Sequence, residues 1–160
     1  MEVFANRSAD STDILHEYFV PPESFDAFVD QLRVIILKHK GDLLNVTVRD
    51  VLRDDDTFLR YADRDMFALV MLFNQPRTAA GDASMEAMTR ELIDAALGLG
   101  GRYYLPYRLH ATNDQLRKAY PQISRSFELK RRYDPHETFQ NSFYLRYAVT
   151  HDAAPVSVAP

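Results

Sequence analysis

The feature that most constrains the fold is an almost uninterrupted apolar run, MFALVMLF, at residues 66–73. Its length suits one strand, and the sequence Asn74-Gln75-Pro76 ends it. Because no polar residue interrupts the run, we expect a central strand that is covered on both faces. The rest of the chain must therefore supply apolar elements that pack against it.

Two further strands are predicted before this run. Residues 14–20 (ILHEYFV) are rich in β-branched and aromatic residues and end at two prolines, and residues 43–51 (LLNVTVRDV) alternate between apolar and polar. Alternation predicts a strand with one apolar and one polar face. In the second strand the apolar face carries Leu44, Val46 and Val48, and the polar face carries Asn45, Thr47 and Arg49.

Two longer segments have the apolar spacing of amphipathic helices. One covers residues 25–36, with Pro22 in its first turn and Gly41 as its C-terminal cap. The other covers residues 84–97 and follows a polar loop that contains Gly81. Each helix can return the chain to the same sheet.

The order of elements predicts the fold class. A strand at 102–107 and short helices at 113–120 and 122–132 complete a β-α-β-β-α-β series with a helical end. We expect an α+β fold with ferredoxin-like elements, in which helices cover one face of a mainly antiparallel sheet. The opposite face is then open to a partner.

The length of 160 residues, 46% of them hydrophobic, suits one compact domain. We place this domain at 12–148, with a disordered segment or linker at 1–11 and a flexible tail at 149–160. The chain has no cysteine, which excludes disulfides and thiolate sites, and its histidines lack the spacing of metal ligands.

Charge and hydropathy exclude other classes. A net charge of −4 offers no general attraction to nucleic acid. The sequence contains no apolar run of about 18 residues and no signal-peptide pattern. We therefore expect no nucleic-acid partner, no membrane span and a cytoplasmic location.

Several short motifs follow one another in a characteristic order. Early in the chain they are residues 17–21 (EYFVP) and 47–49 (TVR). The later ones are Gly100-Gly101-Arg102, Ala119-Tyr120-Pro121, the segment from Lys130 to Pro135, and Phe139-Gln140-Asn141. In this order the chain resembles, over residues 12–148, the carboxyl-terminal region of FAD-linked oxidases of the vanillyl-alcohol-oxidase type. It is most similar to the aldonolactone, alditol and decaprenylphosphoryl-ribose oxidases.

The resemblance implies the substrate-binding, or cap, domain of an FAD-dependent oxidoreductase that acts on CH–OH groups of a sugar, sugar lactone or polyol. An upstream domain would bind most of the FAD, and this one would cover the isoalloxazine ring. Because the chain lacks a glycine-rich phosphate loop, we expect it not to retain FAD alone and to be inactive by itself. Thr47 stands where the family often has glutamate, so polyol specificity does not follow.

Arg49 is the first candidate catalytic residue. Hydride transfer to a flavin needs groups that orient the hydroxyl and place positive charge beside the ring, and the resemblance implies this role for Arg49. Asn45 and Thr47 are candidate substrate contacts on the same strand face. Without the resemblance, a surface ion pair of Arg49 with Asp50 or with the 54–56 loop would be preferred.

Residues 106–110 (PYRLH) supply the second group of candidates. Many relatives have P-H-W-G-K here, so Tyr107 and His110 take the places of a histidine and a lysine. His110 is a candidate catalytic residue because it donates hydrogen bonds and titrates near neutral pH, although a loop histidine bonded to backbone is as good an interpretation. Arg108 could bind an anionic substrate group.

Tyr104 and Asn141 complete the candidate site. Tyr104 and Tyr107 could stack on a sugar or on the flavin edge, although core packing is the commoner use of such rings. Asn141 is a candidate FAD contact, and a helix cap is equally plausible.

A different class of function also fits. The chain could be a non-catalytic α+β ligand-binding or dimerisation module on the flavoenzyme scaffold, because a fold does not fix a function. If the FAD domain is absent, the sheet face that would meet it is exposed, and exposed apolar surface favours self-association, so we expect a homo-oligomer of the isolated chain. The other expected partners are the FAD-binding domain and a small sugar-like substrate.

Overall fold

The computed structural model describes residues 9–148, and these adopt an α+β fold. Four strands form one sheet in the order β2-β3-β1-β4, and each neighbouring pair is antiparallel. The predicted fold class is confirmed. The strands are β1 (Ser11–Val20), β2 (Asp42–Val51), β3 (Met66–Pro76) and β4 (Arg102–Tyr103), and the helices are α1 (Phe25–His39), α2 (Ala79–Gly98), α3 (Asn113–Ala119), α4 (Ile123–Tyr133) and α5 (Ser142–Tyr147).

The expected tail at 149–160 and most of the expected linker at 1–11 lie outside the described residues. Within the described residues, β1 begins at Ser11, the last residue of the expected linker. Between residues 9 and 148, no helix has both the length and the apolar character needed to cross a membrane.

Helices α1 and α2 pack on one face of the sheet, here called the helix face. Tyr18 of β1 lies against Phe28 of α1, with ring centroids 5.8 Å apart, and both side chains are fully buried. Burial of such large apolar side chains is the main favourable term in folding. The same core includes Val20, Leu32, Leu69, Met71, Phe73, Met88, Leu92 and Ile93.

The other face of the sheet, here called the open face, is covered by residues 9–148 only at one end. There the loop 52–65 packs Tyr61 and Ala62 against Phe19 and Met66. The guanidinium of Arg102 holds this loop, since it donates to the backbone oxygen of Arg60 and pairs with Asp63, each at 2.6 Å. Beyond the loop, the side chains of β1 and β3 on this face, such as Leu15, Glu17 and Val70, are half-buried or exposed.

This arrangement changes the expectation for β3. The prediction that both faces are covered holds for its first residues, where Met66 and Ala68 are buried under the loop. It fails further along, because Val70 and Leu72 on the open face are only half-buried. An apolar run therefore did not require complete burial of this strand.

Strand β2 also departs from the predicted pattern. A bulge between Leu43 and Asn45 inserts Leu44, so Leu44 does not continue the row of Val46 and Val48. These three apolar side chains are 37–50% exposed, because β2 is the sheet edge. The predicted apolar face of this strand is thus not buried.

Two glycines predicted at helix boundaries have other positions in the structure. Lys40, with φ of 53°, is the left-handed cap of α1 in place of the predicted Gly41, and a Cβ on Gly41 would lie 2.7 Å from the sulfur of the flexible Met88 side chain. Helix α2 begins five residues earlier than predicted, with Thr78 as its N-cap, so Gly81 belongs to its first turn. A Cβ on Gly81 would lie 2.4 Å from the backbone oxygen of Pro76.

The C-terminal third is more helical than predicted. Strand β4 has only two residues instead of the six expected at 102–107, and the amide of Tyr104 adds one further bond to the oxygen of Glu17, at 3.0 Å. Pro106 cannot donate to a ladder, which limits this strand. Helix α5 was not predicted.

Candidate functional site

The open face brings together the candidate residues of β2. Asn45, Thr47 and Arg49 alternate along the regular part of this strand and are all exposed. Thr47 lies opposite Val70 of β3, and Val70 lies opposite Glu17 of β1. On this face, the polar residues of the edge strand β2 and Glu17 of β1 therefore lie on either side of the apolar Val70.

Glu17 is the electrostatic centre of this group. Its carboxylate is half-buried, and burial raises its pKa above the ordinary value. The Arg49 guanidinium and a hydrogen bond from the Tyr107 hydroxyl act in the opposite direction, but they do not cancel the effect of burial. The result is a carboxyl group with a raised pKa that interacts with the phenol of Tyr107 and lies within the electrostatic influence of Arg49.

Aromatic rings border this group on the side of β4. The rings of Tyr104 and Tyr107 meet edge to face at 5.1 Å, and Phe19 stacks on Tyr61 at 4.4 Å. Tyr104 also contacts both Phe19 and Tyr61, so it is part of the small core beneath the loop. Packing thus fixes Tyr104, and Tyr104 in turn supports Tyr107 beside Glu17.

A cavity of about 540 Å³ opens next to Tyr107. Its volume is within the range of small-molecule sites, and its wall is mostly apolar. The lining residues are Leu59, Leu105, Pro106, Tyr107, Leu109, Asn141, Ser142 and Phe143. The structure therefore brings Asn141 to the same cavity as Tyr107.

Asn141 is also the N-cap of α5. Its side-chain oxygen accepts a hydrogen bond from the backbone amide of Tyr144 at 2.8 Å. This use of the oxygen leaves the amide group of the side chain for other contacts. The capping interpretation of this residue is confirmed, and the cofactor contact stays a prediction.

His110 is not part of the open-face group. Its ring lies on the helix side, where Nδ1 is 2.9 Å from the Thr89 hydroxyl of α2, and Arg90 donates to its backbone oxygen at 2.9 Å. Burial is the largest cause of the lowered pKa of His110. Arg108 is exposed, and its charge lowers the pKa of both His110 and His16. The segment 107–110 thus spans two sides of the sheet.

A series of buried hydrogen bonds, from His110 through Thr89 to His16 and Tyr18, determines which ring nitrogen of His110 carries the proton. The Thr89 hydroxyl donates to the Met85 carbonyl at 2.7 Å, so it must accept from the rings of His110 and His16. Nδ1 of His16 then accepts from the Tyr18 hydroxyl at 3.2 Å. Burial lowers the pKa of His16 to about 3, which keeps this ring neutral.

The open-face residues fit the ring end of FAD but not its pyrophosphate. Arg49 supplies a cation, and Thr47, Asn45 and Tyr107 supply hydrogen-bonding groups beside exposed apolar surface, a donor set suited to the polar edge of a flat ring and to a polyhydroxy substrate. A pyrophosphate needs a nest of backbone amides or a cluster of cations, and the open face carries neither. The described part of the chain thus suits the ring end of the cofactor.

Sequence reasoning missed Glu17 as a site residue. The signal was available, because in ILHEYFV the glutamate alternates with His16 and Tyr18, whose side chains are buried on the helix face. The alternative partners considered for Arg49 were acidic residues near it in sequence. Instead, Asp55 pairs with Arg53 at 2.7 Å, and Arg49 interacts with Glu17 across the sheet.

Comparisons with known proteins leave the family open. A scan of protein-family models found no match, and a search of curated proteins found no similar sequence. Within residues 9–148 no group of three or more His, Cys, Asp or Glu side chains is arranged to hold a metal ion.

Proposed function

We propose that this chain is the substrate-binding cap domain of an FAD-dependent oxidoreductase that oxidises a CH–OH group of a sugar, sugar lactone or polyol. The observation that carries the proposal is that the Glu17 carboxyl lies beside Tyr107 and within the influence of the Arg49 charge, on a sheet face that residues 9–148 leave open. These residues come from three segments that are distant in sequence. Charged and polar groups gathered on an open sheet face favour a binding surface over a structural role.

Each residue of this group has a chemical task. Bound FAD would supply the two-electron acceptor for the hydride of the CH–OH carbon. The Glu17 carboxylate, with its raised pKa, suits a general base that takes the hydroxyl proton of the substrate. Arg49 holds positive charge beside it, and Tyr107 orients the carboxylate by its hydrogen bond.

Substrate contacts follow from the surroundings. Asn45 and Thr47 offer hydrogen-bonding groups on the exposed strand β2, and the cavity of about 540 Å³ beside Tyr107 is large enough for a sugar. Tyr104 supports the wall next to Tyr107. His110 has no place in this proposal, because its ring is bonded to Thr89 on the helix side.

Substitution of Arg49 tests the proposal in the complete enzyme. With Arg49→Ala we expect flavin reduction by substrate to slow by about 10²-fold or more, since a preorganised charge beside the reacting group is lost. Arg49→Lys should retain part of the rate because it keeps the charge. Rapid mixing with substrate under anaerobic conditions measures this step. Unchanged reduction in Arg49→Ala would remove Arg49 from the mechanism.

A further inference from the structure

A short segment connects the two sides of the sheet after β4. It runs from Tyr107, which lies beside Glu17 on the open face, to His110, whose ring lies on the helix side. In the described part of the chain, residues 105–109 form no backbone hydrogen bond with a strand. The position of Tyr107 therefore depends on what holds the two ends of this segment.

Tyr104 holds the first end. Its amide donates to the backbone oxygen of Glu17 at 3.0 Å, and its ring meets the ring of Tyr107 edge to face at 5.1 Å. This ring contact limits where the Tyr107 ring can lie. It does not fix the backbone that follows Tyr107.

His110 fastens the second end to helix α2 through both its ring and its backbone. Nδ1 of the ring donates to the Thr89 hydroxyl at 2.9 Å, and Nε of Arg90 donates to the backbone oxygen of His110, also at 2.9 Å. Arg90 is itself paired with Glu86 at 2.5 Å. Two consecutive residues of α2 thus bind one residue of the segment.

Thr89 is a rigid partner for the ring of His110. Its side chain is buried, and its hydroxyl donates to the Met85 carbonyl at 2.7 Å. The same oxygen lies 3.5 Å from Nε2 of the buried His16. A buried polar group that loses its partner is costly, so the hydroxyl has few alternative arrangements. The direction of His110 is therefore set from the core of the molecule.

We propose that His110 is a positioning residue for Glu17: its bond to Thr89 holds residues 107–110 in the arrangement that keeps the Tyr107 hydroxyl on the Glu17 carboxylate. His110 does not line the cavity beside Tyr107, and it acts through Tyr107, three residues away in sequence. The importance of this arrangement for a reaction rests on the proposed function. The link from Thr89 to Glu17 does not.

Different charged and titratable groups surround the two ends of the link. Those that act on Glu17 and Tyr107 at the open face are Arg49 and Tyr104, besides the pair itself. Those that act on His110 are Glu86, Arg90, Arg108 and Arg146. Because Thr89 is uncharged and lies on the helix side, its substitution should alter the pKa of Glu17 through the position of Tyr107.

Thr89 offers a matched pair of substitutions for the test. Thr89→Val keeps the shape of the side chain and removes the hydroxyl, and Thr89→Ser keeps the hydroxyl. In Thr89→Val we expect the pKa of Glu17 to rise towards its value in Tyr107→Phe, because the hydrogen bond that lowers it is weakened. In Thr89→Ser we expect the native value.

Carbon-detected NMR titration of the Glu17 carboxyl group in the 160-residue chain measures all three variants. A native pKa in Thr89→Val, with a raised one in Tyr107→Phe, would overturn the proposal. An unchanged pKa in Tyr107→Phe would also overturn it, since Tyr107 would then have no bond to Glu17 for His110 to maintain.

A second pair of variants keeps the test decisive if Thr89→Val does not fold, which circular dichroism shows. His110→Leu removes the ring nitrogen, whereas His110→Asn places an amide nitrogen as many bonds from Cα as Nδ1. We expect the pKa of Glu17 to rise in His110→Leu and to return towards the native value in His110→Asn. Equal values in these two variants would contradict a positioning role.

Kinetics of the complete enzyme separate this proposal from the proposed function. In Thr89→Val we expect kcat for flavin reduction to fall about tenfold with little change in KM, since a general base that is misplaced loses part of its effect. The pH–rate profile should shift upwards with the pKa of Glu17, and Thr89→Ser should behave as the native enzyme. A raised pKa of Glu17 with an unchanged profile would support the link and remove Glu17 from the reaction. An unchanged pKa would overturn the link whatever the rate.

Discussion

At the scale of single residues, Glu17 shows most clearly how burial and neighbouring groups act in opposite directions on one pKa. Burial raises its pKa, and Arg49 and Tyr107 lower it, with a net increase over the unfolded value. For a carboxyl group whose folded pKa is raised, the contribution to stability is complete below the unfolded pKa and is lost as the pH rises through the folded pKa. Ionisation of Glu17 therefore costs stability in the native chain.

Replacement of Arg49 by a neutral residue should increase the shift in the pKa of Glu17. In Arg49→Ala we expect the pKa of Glu17 to rise further, because the nearest positive charge is lost, and in Arg49→Lys we expect a value close to the native one. Carbon-detected NMR titration of the Glu17 carboxyl group measures both. An unchanged pKa in Arg49→Ala would mean that the two side chains do not interact in solution.

Two substitutions of Asn141 measure its structural role, as the N-cap of α5, separately from any contact with a cofactor. Asn141→Ala removes the oxygen that caps α5, so we expect a loss of about 1 kcal/mol in the free energy of unfolding. Asn141→Asp keeps a capping oxygen and should retain most of the stability. Urea unfolding of the isolated chain measures both variants. Equal losses in the two would show that the cap contributes little.

The sequence was sufficient to group Asn45, Thr47 and Arg49, because strand periodicity alone decides which residues share a face. It was not sufficient for Glu17 or His110. The partner of Glu17 depends on which strands are neighbours, and the direction of His110 depends on a hydrogen bond to Thr89, a residue on a different helix. Contacts between distant segments have no local signal.

At the scale of elements, periodicity predicted where strands and helices lie, and close backbone contacts decided where they end. Gly81 was interpreted as a loop residue because glycine is a poor helix former. In the structure it lies in the first turn of α2, pressed against the backbone of Pro76. The bulge at Leu44 likewise depends on pairing with β3, which the alternating pattern does not encode.

Two alanine substitutions in α2 should have opposite effects. Gly81→Ala places a Cβ 2.4 Å from the Pro76 oxygen, so the backbone must shift, and we expect a loss on the order of 1–3 kcal/mol. Gly98→Ala, at the last residue of the same helix, meets no atom within 4 Å and should stabilise by about 0.5 kcal/mol. Thermal or urea unfolding gives both values. Similar effects in the two variants would contradict the close contact at Gly81.

At the scale of the whole molecule, the sheet is covered on one side and open on the other. The helix face holds the large core, and the open face holds the exposed Leu15 and the half-buried Val70 and Leu72. Exposed apolar area of this kind usually marks an interaction surface. In our account the open face meets a flavin domain.

The most direct test of the proposed oxidoreductase function is an absorbance spectrum of the natural protein. It is purified from its natural source with this chain as the affinity handle. The account predicts that flavin copurifies with the polypeptide that contains or binds the chain, and that a sugar or sugar lactone substrate bleaches its absorbance. The isolated chain of 160 residues should be colourless. A natural protein that carries no flavin would contradict the account and favour a non-catalytic binding module.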